Sequence, residues 1–256
     1  MSITVPKIIN LKNQRPIVAL TAYNAQFAEI LDAYVDILLV GDSLGMVVYG
    51  APSTLSVTVE DIIRHTRAVA SVAKNALVVA DLPFGSYQQS PKQAFATAAQ
   101  IMAQTNCGAV KLEGGAEMAP TIEFLTKRCI PVIAHIGLMP QSVHVLGGYK
   151  RQGKTSESAD KLRQDAKTLD AAGAFAIVLE CVEAEIAAQI SAEIKIPTIG
   201  IGSGNQCDGQ VLVTEDMAGL SAHTASFVKK YTDLRQNLSA AVQLYADEVR
   251  ARKFPL

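Results

Sequence analysis

The sequence is short of charge, of paired cysteines and of long apolar runs, and each shortage removes a class of protein. Charged residues make up 18% of the 256 residues and the formal net charge is −1, against the quarter usual for soluble domains. Lys and Arg are dispersed, so no basic stripe of the kind a nucleic-acid surface needs is present. The four cysteines, Cys107, Cys129, Cys181 and Cys207, form no CxxC pair. Their spacings suit neither a zinc knuckle nor a small disulfide scaffold, and each reads as a small buried hydrophobe in a reducing compartment. No stretch approaches 18 uninterrupted apolar residues, which excludes a spanning helix on ordinary criteria. The opening MSITVPKIINLKNQRP has no apolar run before a cleavage site, so a cytoplasmic protein is expected. No internal linker, low-complexity tract or regular repeat interrupts the chain.

What is present is a large apolar share, 49%, distributed as short runs between longer amphipathic segments. Strands are expected at Ile17–Ala22, Ile37–Val40, Leu77–Ala80, Ala109–Leu112, Val132–His135, Ala176–Leu179, Thr198–Ile201 and Val211–Thr214. Their Val, Ile, Leu and Ala interiors show little polar alternation, as parallel strands covered on both faces should. Helices are expected near Ala25–Tyr34, Val59–Lys74, Pro91–Thr105, Met118–Arg128, Ser156–Ala172 and Ala184–Ala192, with a C-terminal pair at Ala225–Arg235 and Ser239–Ala251. Thr58 and Ser90 are placed as helix N-caps, the latter followed by Pro91 at the first helical position. This alternation fits one α/β domain over residues 1–256, a (β/α)8 TIM barrel. About fifteen residues precede the barrel and are expected to cover one end of it. An open doubly wound sheet would want a Gly-rich loop after its first strand, where the chain instead reads Thr21-Ala22-Tyr23-Asn24. The low charge also suggests surface covered by other subunits, although a thick barrel core gives the same composition.

In a barrel of this kind the active site forms at the C-terminal strand ends. Asp42, Asp81, Glu113 and Glu180 stand there with Lys111 and His135. One acid after a strand commonly caps a helix or turn, but four on successive strand ends point to an enzyme. Converging carboxylates repel unless a cation is present, and hard oxygen donors suit Mg2+ better than structural zinc. Lys111 is open to three readings: an ion pair, a clamp for a substrate carboxylate, or a Schiff-base nucleophile. His135 reads equally as a satisfied core histidine or as a ligand or base, whereas His65 reads as a surface or packing residue. The Gly200–Gly204 run suits a tight turn or close backbone approach rather than a dinucleotide loop. Residues Gly137 to Lys154 form a long connection of little regular pattern, with Lys150, Arg151 and Lys154. It reads either as a mobile cover over an anionic substrate or as a solvated basic loop.

The same residues carry a resemblance. GDSLGMVVYG (Gly41–Gly50), ADLPFGSY (Ala80–Tyr87), KLEGG (Lys111–Gly115), HIGLMPQSV (His135–Val143), GGYKRQGK (Gly147–Lys154), LEC (Leu179–Cys181) and GIGSGNQCDGQVLV (Gly200–Val213) resemble the ketopantoate hydroxymethyltransferase family. That resemblance implies a barrel of the phosphoenolpyruvate/pyruvate superfamily, commonly a homodecamer. It implies hydroxymethyl transfer from 5,10-methylenetetrahydrofolate to 3-methyl-2-oxobutanoate, giving 2-dehydropantoate for pantothenate and coenzyme A biosynthesis. Position by position, the family's metal acids match Asp42, Asp81 and Glu113, and its substrate-contacting residues match Asp42, Ser43, Asp81, Lys111 and His135. Its proton acceptor matches Glu180 and its strand-end histidine His135. On this reading one Mg2+ per subunit stabilises an enolate, with Glu180 left free as base because a metal ligand is a poor proton acceptor. The chain departs from the family pattern at Asn24, at Ser203 and in His223–Tyr231 (HTASFVKKY), which lacks a proline. None of these is a metal or base position, so local packing or subunit contacts are what they put in question. The rivals are a lyase or mutase of the same superfamily, a Lys111 Schiff-base aldolase and a non-enzymatic scaffold.

Overall fold

The computed structural model describes residues 3–255. Eight parallel strands close into a barrel in sequence order: β1 (Ile17–Thr21), β2 (Ile37–Val40), β3 (Leu77–Asp81), β4 (Ala109–Glu113), β5 (Val132–Gly137), β6 (Ala176–Glu180), β7 (Thr198–Ile201) and β8 (Gly209–Leu212). The helices are α1 (Val5–Leu11), α2 (Ala25–Leu31), α3 (Leu44–Val47), α4 (Val59–Ala70), α5 (Pro91–Thr105), α6 (Ala119–Thr126), α7 (Val143–Leu146), α8 (Ser156–Ala171), α9 (Ala184–Glu193), α10 (Thr214–Met217) and α11 (Leu234–Arg250). Two compact units are distinguished, Met1–Val211 and Leu212–Leu256. No helix among the described residues is long and apolar enough to cross a membrane.

Strand periodicity separates two apolar layers. Ile17, Ala19, Ile37, Leu39, Leu77, Val79, Ala109, Ile133, Ala176 and Val178 fill the barrel interior. Their neighbours, among them Leu38, Val78, Val110, Leu112, Ala134 and Ile177, face the helices. The expected N-terminal cover is α1, whose fully buried Ile8 joins the interior cluster. Burying that one side chain contributes about 1.5–3 kcal/mol. Thr58 and Ser90 cap α4 and α5 as expected; Thr58 forms a reciprocal capping box with Asp61.

Four differences have local causes. β8 begins two residues before the expected Val211 because Gly209 pairs with Ile199 and lies against β1. A Cβ at Gly209 would fall 2.5 Å from the Ile17 carbonyl oxygen, so the seam closes only on glycine there. The helix expected at Ala225–Arg235 is absent, since Tyr231 and Leu234 donate their N–H groups to Met217 and Ala218 instead of to their own turn. Asp233 then caps Gln236, starting α11 five residues before the expected Ser239. The connection after β5 is not wholly irregular, for it contains a 3-10 turn at Pro140–Ser142 and α7. Finally, only Cys107 and Cys207 are buried; Cys129 is exposed and Cys181 intermediate. Both of the latter occupy left-handed turns, at φ 65° and 48°, just outside the packed layers.

Asp32 closes the end of α2 onto the chain entering β3. Its carboxylate accepts from the backbone N–H groups of Lys74 (2.9 Å), Asn75 (3.0 Å) and Ala76 (2.9 Å) and from Asn75 Nδ2 (3.0 Å). Burial alone would raise its pKa, but the bonds from Ala76, Lys74 and Asn75 hold it below the ordinary carboxylate value. Asp32→Ala should therefore cost about 2–4 kcal/mol in urea unfolding at neutral pH. The folded pKa is depressed, so this contribution is present above the unfolded value near ~4 and is lost as pH falls below it.

Candidate active site

Two-residue periodicity and barrel register build the mouth. Asp81 continues the inward series Leu77 and Val79, Lys111 and Glu113 continue Ala109, His135 continues Ile133, and Glu180 continues Ala176 and Val178. Register then sets Asp81 beside Lys111, Glu113 beside His135, and Gly137 beside Glu180. Asp42 follows β2 by two residues, with its backbone N–H on Asp81 Oδ2 at 3.1 Å. All six expected polar residues therefore meet at one mouth. Ser43 is beside them, its Oγ 2.8 Å from the Tyr23 hydroxyl.

Four acids face one lysine here, and the structure disperses the charge unequally. Lys111 Nζ donates to Asp81 Oδ1 at 2.9 Å in a buried ion pair. Burial works against the Lys111 ammonium, but the charges of Asp81, Glu113 and Asp42 outweigh it and raise its pKa. A locked ammonium is a poor Schiff-base nucleophile. The Asp42 carboxyl is pushed up to about 7, chiefly by burial and then by the Asp81 charge, with Lys111 and a bond from Gln141 opposing. Burial likewise lifts Glu113 well above its ordinary value, although Lys111 opposes it. The thiol of Cys181, next to Glu180, is pushed up to about 11 by burial and the Glu180 charge, and so is protonated at neutral pH.

Among the described residues, three of the buried side-chain atoms that lack a hydrogen-bond partner belong to the mouth: Glu113 Oε1, His135 Nδ1 and His135 Nε2. The imidazole lies between two acids, with Nδ1 3.7 Å from Glu113 Oε1 and Nε2 3.3 Å from Glu180 Oε2. Unpartnered polar atoms of this kind are costly unless a ligand or water completes them. Their all-oxygen and imidazole character fits an oxo acid with a hard cation. Among the described residues, however, no three His, Cys, Asp or Glu side chains stand as a ready metal-binding group. Asp81 is committed to Lys111 and to the Asp42 N–H, while Asp42 Oδ2 takes a bond from Gln141 Nε2 at 2.9 Å.

Gln141 and Tyr87 are site residues that the strand ends do not reveal. Both lie in connections, and both fall inside the quoted HIGLMPQSV and ADLPFGSY motifs, the one signal that could have found them. In the long connection Arg151 donates to the carbonyls of Val182 (3.1 Å) and Gly202 (3.0 Å). Lys150 and Lys154 are exposed. Tyr149 instead reaches across, its hydroxyl 3.6 Å from Met46 Sδ. His65 packs as expected, half-buried, with Nδ1 2.5 Å from the Tyr23 carbonyl oxygen. Two departures from the family pattern are accommodated: Asn24 caps α2 through Phe27 N–H. Ser203 Oγ donates to Leu179 O and accepts from Val182 N–H, stitching the turn after β7 to the end of β6.

The chain matches the family described as ketopantoate hydroxymethyltransferase over residues 2–256. It belongs to that family. A 3-methyl-2-oxobutanoate hydroxymethyltransferase of Bartonella tribocorum is 53% identical over 99% of this chain and 93% of its own. Another of that name, from Paramagnetospirillum magneticum, is 54% identical with the same coverage. The family's enzymatic activity, hydroxymethyl transfer to 3-methyl-2-oxobutanoate, removes the scaffold reading. The fold is shared with phosphonopyruvate hydrolase (TM-score 0.64, 14% identity, 98% of this chain and 88% of that one), a protein also solved with oxalate and Mg++. It is shared too with 2,3-dimethylmalate lyase, of the PEP mutase/isocitrate lyase superfamily (TM-score 0.56, 16% identity, covering 100% and 90%).

The raised Asp42 pKa has a measurable consequence for the cation-free protein. Its folded pKa exceeds the unfolded value, so the protonated carboxyl favours folding and that advantage fades as pH climbs from about 4 through 7. With EDTA present, Asp42→Asn should melt several degrees above the wild type near pH ~8. The difference should close toward pH ~4. Scanning calorimetry at the two pH values checks this.

Proposed function

We propose that the chain transfers a hydroxymethyl group from 5,10-methylenetetrahydrofolate to 3-methyl-2-oxobutanoate through an enolate formed at the barrel mouth. The products are 2-dehydropantoate and tetrahydrofolate, a step toward pantothenate and coenzyme A in the cytoplasm. The observation that carries the reading is the exposure of Glu180. Its side chain is 18% exposed while those of Asp81, Glu113 and His135 are at 3% and Lys111 at 6%. Glu180 is thus the acid a substrate carbon can reach, and it takes the C3 proton. Lys111 holds a fixed positive charge toward the oxygen on which negative charge develops, and His135 offers that oxygen an N–H. Ser43, held by Tyr23, donates the hydrogen bond that orients the substrate carboxylate. The nucleophilic C3 then bonds to the one-carbon unit, whose two C–N bonds to the folate break; water supplies the hydroxyl oxygen, and the two folate nitrogens take one proton from that water and one from Glu180. Asp42, Asp81 and Glu113 would hold Mg2+, which when bound polarises the 2-oxo acid carbonyl and lowers the cost of ionising C3.

We also infer a homo-oligomer, the decamer that the family resemblance implies. In support, α11 has no buried residue, yet Leu238, Val242, Tyr245 and Val249 are all exposed. Their i, i+4, i+7, i+11 spacing makes one apolar stripe, the form of a helix face that packs against a partner.

Glu180→Gln should slow exchange of the C3 proton with D2O by about a hundred- to ten-thousand-fold while Mg2+ binding persists. Asp81→Asn should weaken Mg2+ binding instead. Wild-type exchange in Glu180→Gln would transfer the base role to His135. Val242→Lys should shift the sedimentation of the native protein to smaller species; unchanged sedimentation would separate α11 from assembly.

A further inference from the structure

The connection after β5 delivers one buried side chain whose bonding is filled to capacity. Gln141, 5% exposed, uses both amide hydrogens, one on Asp42 Oδ2 (2.9 Å) and one on the Leu82 carbonyl (3.0 Å). Its amide oxygen accepts from the Tyr87 hydroxyl (2.7 Å) and from Gln88 Nε2 (3.0 Å). Its backbone N–H donates to Glu113 Oε2 at 3.1 Å. Reversing the amide would set its oxygen against two acceptors, the Asp42 carboxyl oxygen and the Leu82 carbonyl, so the network itself fixes the orientation. Tyr87 strengthens the connection, because its hydroxyl also accepts from the Glu113 N–H at 3.1 Å.

We propose that Gln141 is a positioning residue. It sets the spacing of Asp42 and Glu113 and makes their assembly depend on the conformation of residues 137–154. This rests on the assignment of those two acids to Mg2+ in the proposed function. The physical argument is one of charge. Two buried carboxylates repel, and a second lysine between them would compete with the cation for the same oxygens. A neutral amide and a main-chain N–H supply fixed partial positive charge without that competition, and leave Glu113 Oε1 unpartnered for a ligand. Glutamate at this position could not donate to Asp42 and would add a fifth carboxylate. Leucine would strip a partner from Asp42 Oδ2, from the Leu82 carbonyl and from the Tyr87 hydroxyl.

The segment that carries Gln141 is also fixed to the other side of the mouth. Gly137 has φ 97° and sits where a Cβ would come within 2.3 Å of the Glu180 carbonyl oxygen. Leu138 N–H donates to that same oxygen at 2.8 Å, and Gln152 N–H donates to the Cys181 carbonyl at 2.8 Å. One stretch of chain therefore braces the Asp42–Glu113 pair through Gln141 and the Glu180 backbone through its two ends.

The test measures Mg2+ binding by titration calorimetry without substrate, and the kcat and KM of C3 proton exchange, on wild type, Gln141→Leu, Tyr87→Phe and the double variant. Gln141→Leu should weaken Mg2+ by about ten- to a hundred-fold and lower exchange kcat at saturating Mg2+. Tyr87→Phe should give a smaller loss of the same kind, and the double variant should lose less than the product of the two. A lowered melting temperature with wild-type Mg2+ affinity and kcat in the folded protein would overturn the proposal, leaving Gln141 a packing residue. Should Gln141→Leu not fold, wild-type Mg2+ affinity in Tyr87→Phe overturns it equally. A wild type that neither binds Mg2+ nor exchanges the proton would sink the reading of the site and this inference together, a result distinct from both.

Discussion

Packing four carboxylates around one lysine at the mouth of a closed barrel is the constraint to which the rest of this structure responds. Water cannot solvate side chains exposed by only a few per cent, so each negative charge needs a donor, a counter-ion or a proton. Lys111 gives its charge to Asp81, and Asp81 in turn accepts the Asp42 N–H. Asp42 and Glu113 are left with amide donors from Gln141 and with raised pKa values. Glu180 escapes the problem by reaching partial exposure. The unequal treatment of chemically similar acids is what allows them to do different work.

The barrel makes this crowding unavoidable. Parallel strands of fixed pleat send alternate residues inward, so a charged residue in phase with Leu77, Ala109, Ile133 or Ala176 has no other direction. Stagger then turns neighbours in the sheet into neighbours at the mouth, as with Asp81 and Lys111 or Glu113 and His135. Below them the apolar interior, sealed by Ile8, is too dry to relieve the charge. Relief comes from the loop side, where the turn after β5 supplies Gln141 and the turn after β3 supplies Tyr87. Within the connection of residues 137–154, Arg151 is spent on backbone carbonyls at the ends of β6 and β7.

Much of this was legible in the order of residues. The strands, the caps at Thr58 and Ser90, the N-terminal cover and the strand-end acids follow from local periodicity and cap chemistry. The failures have different causes, some in long-range hydrogen bonds and some in backbone turns. Residues 225–235 have helical composition, but Tyr231 and Leu234 spend their donors on Met217 and Ala218. Cys129 and Cys181 look like core residues until their left-handed turns place them outside it. Gln141 lies 99 residues from Asp42, and no pattern within a loop reports such a bond.

By itself the sequence determined which side chains would enter the mouth, because pleat and strand phase are local properties that residue spacing encodes. It also carried the family, through motifs long enough to be specific. Only the tertiary structure decided how the acids differ. Exposure, ion pairing and donor supply are set by what the closed barrel and its loops bring within 3–4 Å, and for Asp42, Glu113 and Glu180 those neighbours come from elsewhere in the chain.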